Sequence, residues 1–71
     1  MSATKKHSIF LNGQEVLRAT KTPDKKKVYY KVCDGVLEKT TKKEFFKTLE
    51  KLHNLNLVEE ADYMKIKLFY Y

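Results

Sequence analysis

The chain is poor in residues that staple, break or cradle. Among 71 residues there is one cysteine, Cys33, one proline, Pro23, two glycines and no tryptophan. A single thiol can neither close an internal disulfide nor supply a thiolate zinc cluster, so a reducing compartment is expected. Gly13 and Gly35 each follow an Asn or Asp. Both are claimed by turns, which leaves no glycine for a P-loop or dinucleotide fingerprint. No apolar run approaches the roughly twenty residues of a membrane-spanning helix. The opening Met-Ser-Ala-Thr-Lys-Lys-His is basic, with no apolar segment of signal-peptide length after it. Residues 1–7 are therefore expected to form a flexible basic tail, residues 8–71 a single domain, and the protein to be cytoplasmic.

Catalytic groups are equally scarce. His7 and His53 are the only histidines, and neither has a partner at H-x-x-x-H spacing. Cys33 falls in a strand-like run beside a turn, where a small half-buried residue is the ordinary reading. Glu59, Glu60 and Asp62 lack the spacing of a calcium loop. No catalytic residue, metal site or cofactor is expected, and the protein is read as a non-enzyme.

What is present is lysine. Fifteen basic against nine acidic residues give a formal net charge of +6. Arg18 is the sole arginine. Such a balance favours an anionic partner, either nucleic acid or an acidic protein face, with no membrane role. Lysine is a point charge without arginine's bidentate fork, so contact with the nucleic-acid backbone should outweigh base reading.

Two hairpins are legible. Asn12-Gly13 joins the apolar runs of "SIFLNGQEVLRAT" and pairs Leu11 with Gln14, Phe10 with Glu15 and Ile9 with Val16. Both resulting faces are partly apolar. Asp34-Gly35 joins "VYYKVC" to "VLEKT" and pairs Val32 with Leu37 and Lys31 with Glu38, setting Val28, Tyr30 and Val32 on one face and Tyr29, Lys31 and Cys33 on the other. Thr41-Lys42-Lys43-Glu44 is a capping box. Phe45, Phe46, Leu49 and Leu52 follow at helical spacing, and Asn54 or Asn56 is placed to end the helix. "LNLV", Leu55 to Val58, reads as a short strand. Met64, Ile66, Leu68 and Tyr70 alternate with Tyr63, Lys65, Lys67, Phe69 and Tyr71, which predicts a terminal strand. The expected fold is α+β, a small antiparallel sheet of four to six strands with one helix on one face.

Three stretches are candidates for binding. Lys43, Lys47 and Lys51 line the back of the helix. Tyr63, Lys65, Lys67, Phe69 and Tyr71, with Tyr29 and Lys31 alongside, would interleave rings and ammonium groups on a strand face, as single-strand binders do. The loop carrying Lys21, Lys25, Lys26 and Lys27, with Arg18 nearby, would contact phosphates. The expected function is nucleic-acid-backbone binding with aromatic support. The alternative is a small viral or mobile-element regulator or inhibitor that docks on a host protein, and homodimerisation through an open sheet face or edge fits either. Any phosphate-binding surface must avoid the acidic turn at 59–62.

Overall fold

The computed structural model describes residues 4–71. Strand β1 spans Lys5–Leu11 and β2 spans Gln14–Lys21. Asn12 and Gly13 between them have φ of 53° and 77°. That is the paired left-handed geometry whose twist matches a two-residue hairpin, and Asn-Gly adopts it at little cost. Strands β3, Lys27–Cys33, and β4, Val36–Thr40, repeat the device at Asp34 and Gly35, with φ of 52° and 78°. The four strands form one antiparallel sheet in chain order. Lys5 to His7, expected in a tail, belong to β1, so the sheet begins earlier than the residue-8 boundary; residues 1–3 of that tail lie outside the described residues.

The first hairpin contains a correction. Leu11 pairs with Gln14 and Phe10 with Glu15, but Ile9 pairs with Leu17, not with Val16. A β-bulge at Val16 shifts the register by one residue. The physical gain is that Leu17 is buried and Val16 packs beside it against the core, so two consecutive apolar side chains serve one face. Beyond the bulge, His7, Ala19, Tyr29 and Thr40 form one cross-strand row, and Ile9, Leu17, Lys31 and Glu38 another. Ile9, Leu17, Ala19 and Tyr29 are buried and define the inner face. In the second hairpin, Val32 does pair with Leu37 and Lys31 with Glu38.

Helix α1 runs over Lys42–Asn54. Its cap is half of the expected box: the Glu44 amide donates to Thr41 Oγ1 at 3.2 Å, while no return bond from the Glu44 carboxylate is formed among the described residues. Its end is a Schellman motif. Asn56 stands at φ 59°, its amide donates to the His53 carbonyl at 3.0 Å, and the Leu57 amide donates to the Leu52 carbonyl at 3.0 Å. "LNLV" is therefore a helix stop and not a strand.

The larger correction is the C-terminal segment, which is a second helix, α2, over Glu60–Tyr70. Tyr63, Ile66 and Tyr70, spaced i, i+3 and i+7, are buried. Met64 and Leu68, which alternation would have placed beside Ile66, are 57% and 77% exposed. Local chemistry agrees with the helix. Glu, Ala, Met, Lys and Leu are good helix formers, Glu60 and Asp62 lie in the first turn, and Lys67 lies in the last. A helix also solves a coverage problem: α1 packs chiefly on β3, and α2 packs on β2 and on α1.

The core between sheet and helices is built on rings. Tyr29 stacks obliquely on Phe45 at 5.0 Å and meets Phe46 at 5.7 Å, and Phe45 and Phe46 meet edge-on at 5.1 Å. The Tyr29 hydroxyl donates to the Tyr70 carbonyl, tying β3 to the last turn of α2. Phe45, Leu17, Leu49 and Ile66 are fully buried, each contributing about 1.5–3 kcal/mol of transfer free energy.

Candidate polyanion-binding surface

Meander topology sorts the chain's charge. The start of β1, the end of β2, the start of β3, the end of β4 and the start of α1 all lie at one end of the sheet. The last turn of α2 joins them, through the Tyr29–Tyr70 bond and a bond from Lys27 Nζ to the Tyr71 carbonyl at 2.8 Å. Lys5, Lys6, Lys21, Lys25, Lys26, Lys27, Lys42 and Lys43 occupy these positions. Asp34 lies at the opposite end of the sheet, in the β3–β4 turn. Glu59 and Glu60 sit at the start of α2, where Glu60 meets His53 in the last turn of α1.

Register tightens the cluster further. Lys5 is directly opposite Lys21, and Lys21 is directly opposite Lys27. Like charges facing each other across strands are destabilising. No side-chain carboxylate relieves them: among the described residues, the contacts between basic groups and carboxylates are His7 with Asp62, Arg18 with Glu15, and His53 with Glu60, and none includes a lysine, while Lys27 Nζ donates to the main-chain oxygen of Tyr71. The first turn of α1 adds the partial positive charge of its unpaired amides to the same end.

Two grooves flank the last turn of α2. The first, of about 740 Å³, lies between that turn, the β2–β3 loop and the start of β1. Lys5, Lys6, Lys21, Lys25 and Lys65 line it with His7, Thr22, Pro23, Phe69 and Tyr70, and no carboxylate is among them. Asp62 stands behind, its Oδ1 3.2 Å from His7 Nε2. The loop is closed into a tight turn by the Lys25 amide bonded to the Thr22 carbonyl at 2.9 Å and the Thr22 amide to the Lys26 carbonyl at 2.9 Å. The Thr22 hydroxyl donates to Asp24, the acidic residue within this loop.

The second groove, of about 780 Å³, lies between the helices and is lined by Lys42, Lys43, Phe46, Lys47, Glu50, Lys67 and Tyr71. Lys42 Nζ sits 4.1 Å from the centre of the Tyr71 ring, a cation–π contact. Tyr63 donates to Glu50 and accepts from Lys67 Nζ at 3.3 Å. The bond to Glu50, then burial, pushes the Tyr63 phenol up, and the bond to Tyr63 pushes the Lys67 ammonium up. Lys67 therefore stays cationic.

Several expected site residues lie elsewhere. Arg18 points to the outer face of the sheet, where its Nε and Nη2 each donate to a Glu15 carboxylate oxygen at 2.7 Å. The bond from Arg18, and then one from Ser8, holds the Glu15 carboxyl below the usual range. Tyr29 is a core ring, not a stacking platform. Lys31 lies opposite Leu17 and Glu38 in the middle of the sheet, and Lys51 lies in the last turn of α1. The interleaved strand face does not exist. Helical spacing sends Lys65 and Phe69 to the first groove, Lys67 and Tyr71 to the second, and Tyr63 to the core. Lys26 is exposed on the loop without lining a groove. Lys5, Lys6, His7 and Lys42 were missed, and the readable signal for the first two was a lysine pair continuous with the alternation of β1.

Among the described residues, no helix covers the sheet's outer face. Phe10 and Leu37 are exposed there, and Val28, Tyr30 and Val32 are half-buried. Among the described residues, no group of three or more His, Cys, Asp or Glu side chains is placed to hold a metal ion, and no helix is long and apolar enough to cross a membrane. No family model, curated protein or solved structure matches this chain.

Proposed function

We propose that the protein is a small non-enzymatic binding module of the cytoplasm whose lysine-rich end grips the phosphate backbone of nucleic acid. The observation that carries this reading is the cross-strand row Lys5, Lys21, Lys27, paired with no side-chain carboxylate among the described residues, with Lys5 and Lys21 at the wall of a groove that also holds Lys6, Lys25 and Lys65. A polyanion converts that mutual repulsion into attraction and releases counterions as it binds. With Arg18 on the outer face of the sheet and none at the lysine-rich end, the contacts carry charge without base identity.

A salt series tests it. Five lysines line the first groove; at about −0.7 to −0.9 per phosphate neutralised, log K should fall against log salt with a slope of about −3.5 to −4.5. A fourfold rise in salt then weakens binding by roughly two orders of magnitude or more. Replacing Lys21, Lys25 and Lys65 with glutamine should reduce the slope to about −1.4 to −1.8. Absence of binding at low salt, or an unchanged slope in the triple variant, overturns the reading.

A second reading is favoured by the open outer sheet face. Phe10, Tyr30 and Leu37, flanked by Lys6 and Lys39 on the same face, suit a host protein presenting an apolar patch with an acidic rim, as a regulator or inhibitor would require. A stoichiometric, salt-tolerant complex lost in Phe10→Ser and Tyr30→Ser, and kept when Lys21 and Lys25 are neutralised, supports it. A solution mass that doubles with concentration instead assigns that face to a second copy.

A further inference from the structure

We infer that the ligand of the lysine-rich end is a single strand, running from one groove to the other around the last turn of α2 with a base stacked on Phe69. This rests on the nucleic-acid reading above and narrows it.

Phe69 is 50% exposed although it lies among lysines in the first groove. Its neighbours Ile66 and Tyr70 fill the core side of α2, so the ring is not needed there. An apolar ring flanked by Lys21, Lys25 and Lys65 has the two parts of a sequence-tolerant stacking site, a π face and cations for the flanking phosphates. Across the last turn, Tyr71 is 60% exposed in the second groove, beside Lys42 and Lys67. Lys27 adds a further cation beside the last turn of α2, where it donates to the main-chain oxygen of Tyr71. A strand following these cations meets one ring in each groove.

A duplex cannot use this arrangement. Its bases stack on one another, so Phe69 would meet only sugar and phosphate. The residue type best suited to reading base edges in a major groove is spent: Arg18 is committed to Glu15 on another face.

The test is fluorescence anisotropy at low salt with labelled dT and rU oligomers of about twenty nucleotides, longer than the roughly 4–16 that one binding fold covers, and a duplex of the same length. The single strands should bind at least tenfold more tightly than the duplex. Phe69→Ala should weaken single-strand binding by about tenfold or more, leave duplex binding and the salt slope unchanged, and keep the wild-type melting temperature. Phe69→Tyr should restore the affinity. A preference for dT or rU supports the inference and identifies the natural source. A duplex bound as tightly as the single strands, or indifference to Phe69→Ala, overturns the single-strand path and leaves backbone binding standing. Failure of every probe to bind overturns both.

Discussion

Ile66 and Leu68 are separated by one residue, and their replacement should have opposite consequences. Ile66 is fully buried among the rings and aliphatic side chains between α2 and the sheet, whereas Leu68 is 77% exposed on the far side of the helix. Ile66→Val deletes one buried methylene, costing about 0.5–1.5 kcal/mol in transfer and residual cavity terms. Ile66→Ala would cost about 2–5 kcal/mol. For 71 residues, total stability is on the order of 4–11 kcal/mol, so the valine variant is the safer probe and the alanine variant approaches unfolding. In a domain of this size about 1 kcal/mol moves Tm by roughly 4–8 °C, and Ile66→Val should therefore melt several degrees lower. Leu68→Ala deletes more of its side chain than Ile66→Val does, yet should stay within about 0.5 kcal/mol of wild type. Thermal and urea denaturation followed by circular dichroism measure both. If 63–70 were a strand, Ile66 and Leu68 would share a face and their substitutions would cost alike. Comparable destabilisation by Leu68→Ala would refute the second helix and both grooves that depend on it.

Other outcomes follow from single contacts. Thr41→Ala removes the hydroxyl that accepts from the Glu44 amide and should cost about 1 kcal/mol in urea denaturation, with Thr41→Ser close to neutral. Glu15 titrates below the ordinary carboxylate value because of Arg18. The stability it contributes is thus fully present above about pH 4.3 and is lost as pH falls through the depressed folded value. The stability gap between wild type and Glu15→Gln should be constant at neutral pH and close in the acid range, and a gap independent of pH would contradict the pair. Tyr29→Phe keeps the ring stack but leaves the Tyr70 carbonyl without its donor. It should cost about 0.5–1.5 kcal/mol, with hydrogen-exchange protection lost first in the last turn of α2. Lys21→Gln relieves repulsion from both Lys5 and Lys27 and should raise Tm at low salt, an increase that fades as salt screens the row, while weakening polyanion binding.

Local chemistry made much of this fold legible. Asn12-Gly13 and Asp34-Gly35 dictate two-residue turns, and from those turns the pairing of Leu11 with Gln14 and of Val32 with Leu37 follows by counting. Thr41 and Asn56 mark the limits of α1 because their side chains and backbone preferences act within a few residues. What was not legible depended on tertiary packing. Val16 bulges because both Val16 and Leu17 have core to fill, a demand invisible in a strand whose two faces are both partly apolar. The 63–70 segment satisfies both a period of two and a spacing of i, i+3, i+7, with Ile66 and Tyr70 common to the two, and packing of α2 on β2 and α1 decides between them. Its single β-branched residue, Ile66, and the acid-first, lysine-last order of charge were the readable signs for a helix.

The site was partly legible for the same reasons. Loop lysines 21, 25 and 27 need no fold to be placed near one another. Arg18 and Tyr29 were misplaced because each sits on a strand whose inward face was open until the bulge set the parity of β2. Lys5 and Lys6 were assigned to a tail, although both extend β1 and Lys5 completes the cross-strand row. Lys31 and Lys51 show the limit of counting cations: they add to the net charge, yet the topology leaves them away from the cluster.

Backbone amide shifts mapped by two-dimensional NMR during titration with a short dT oligomer test the lysine-rich end most directly. Binding there predicts perturbations confined to residues 5–7, 21–27, 42–43 and 65–71. Shifts centred on Phe10, Tyr30 and Leu37, or spread evenly over the sheet and both helices, would contradict it.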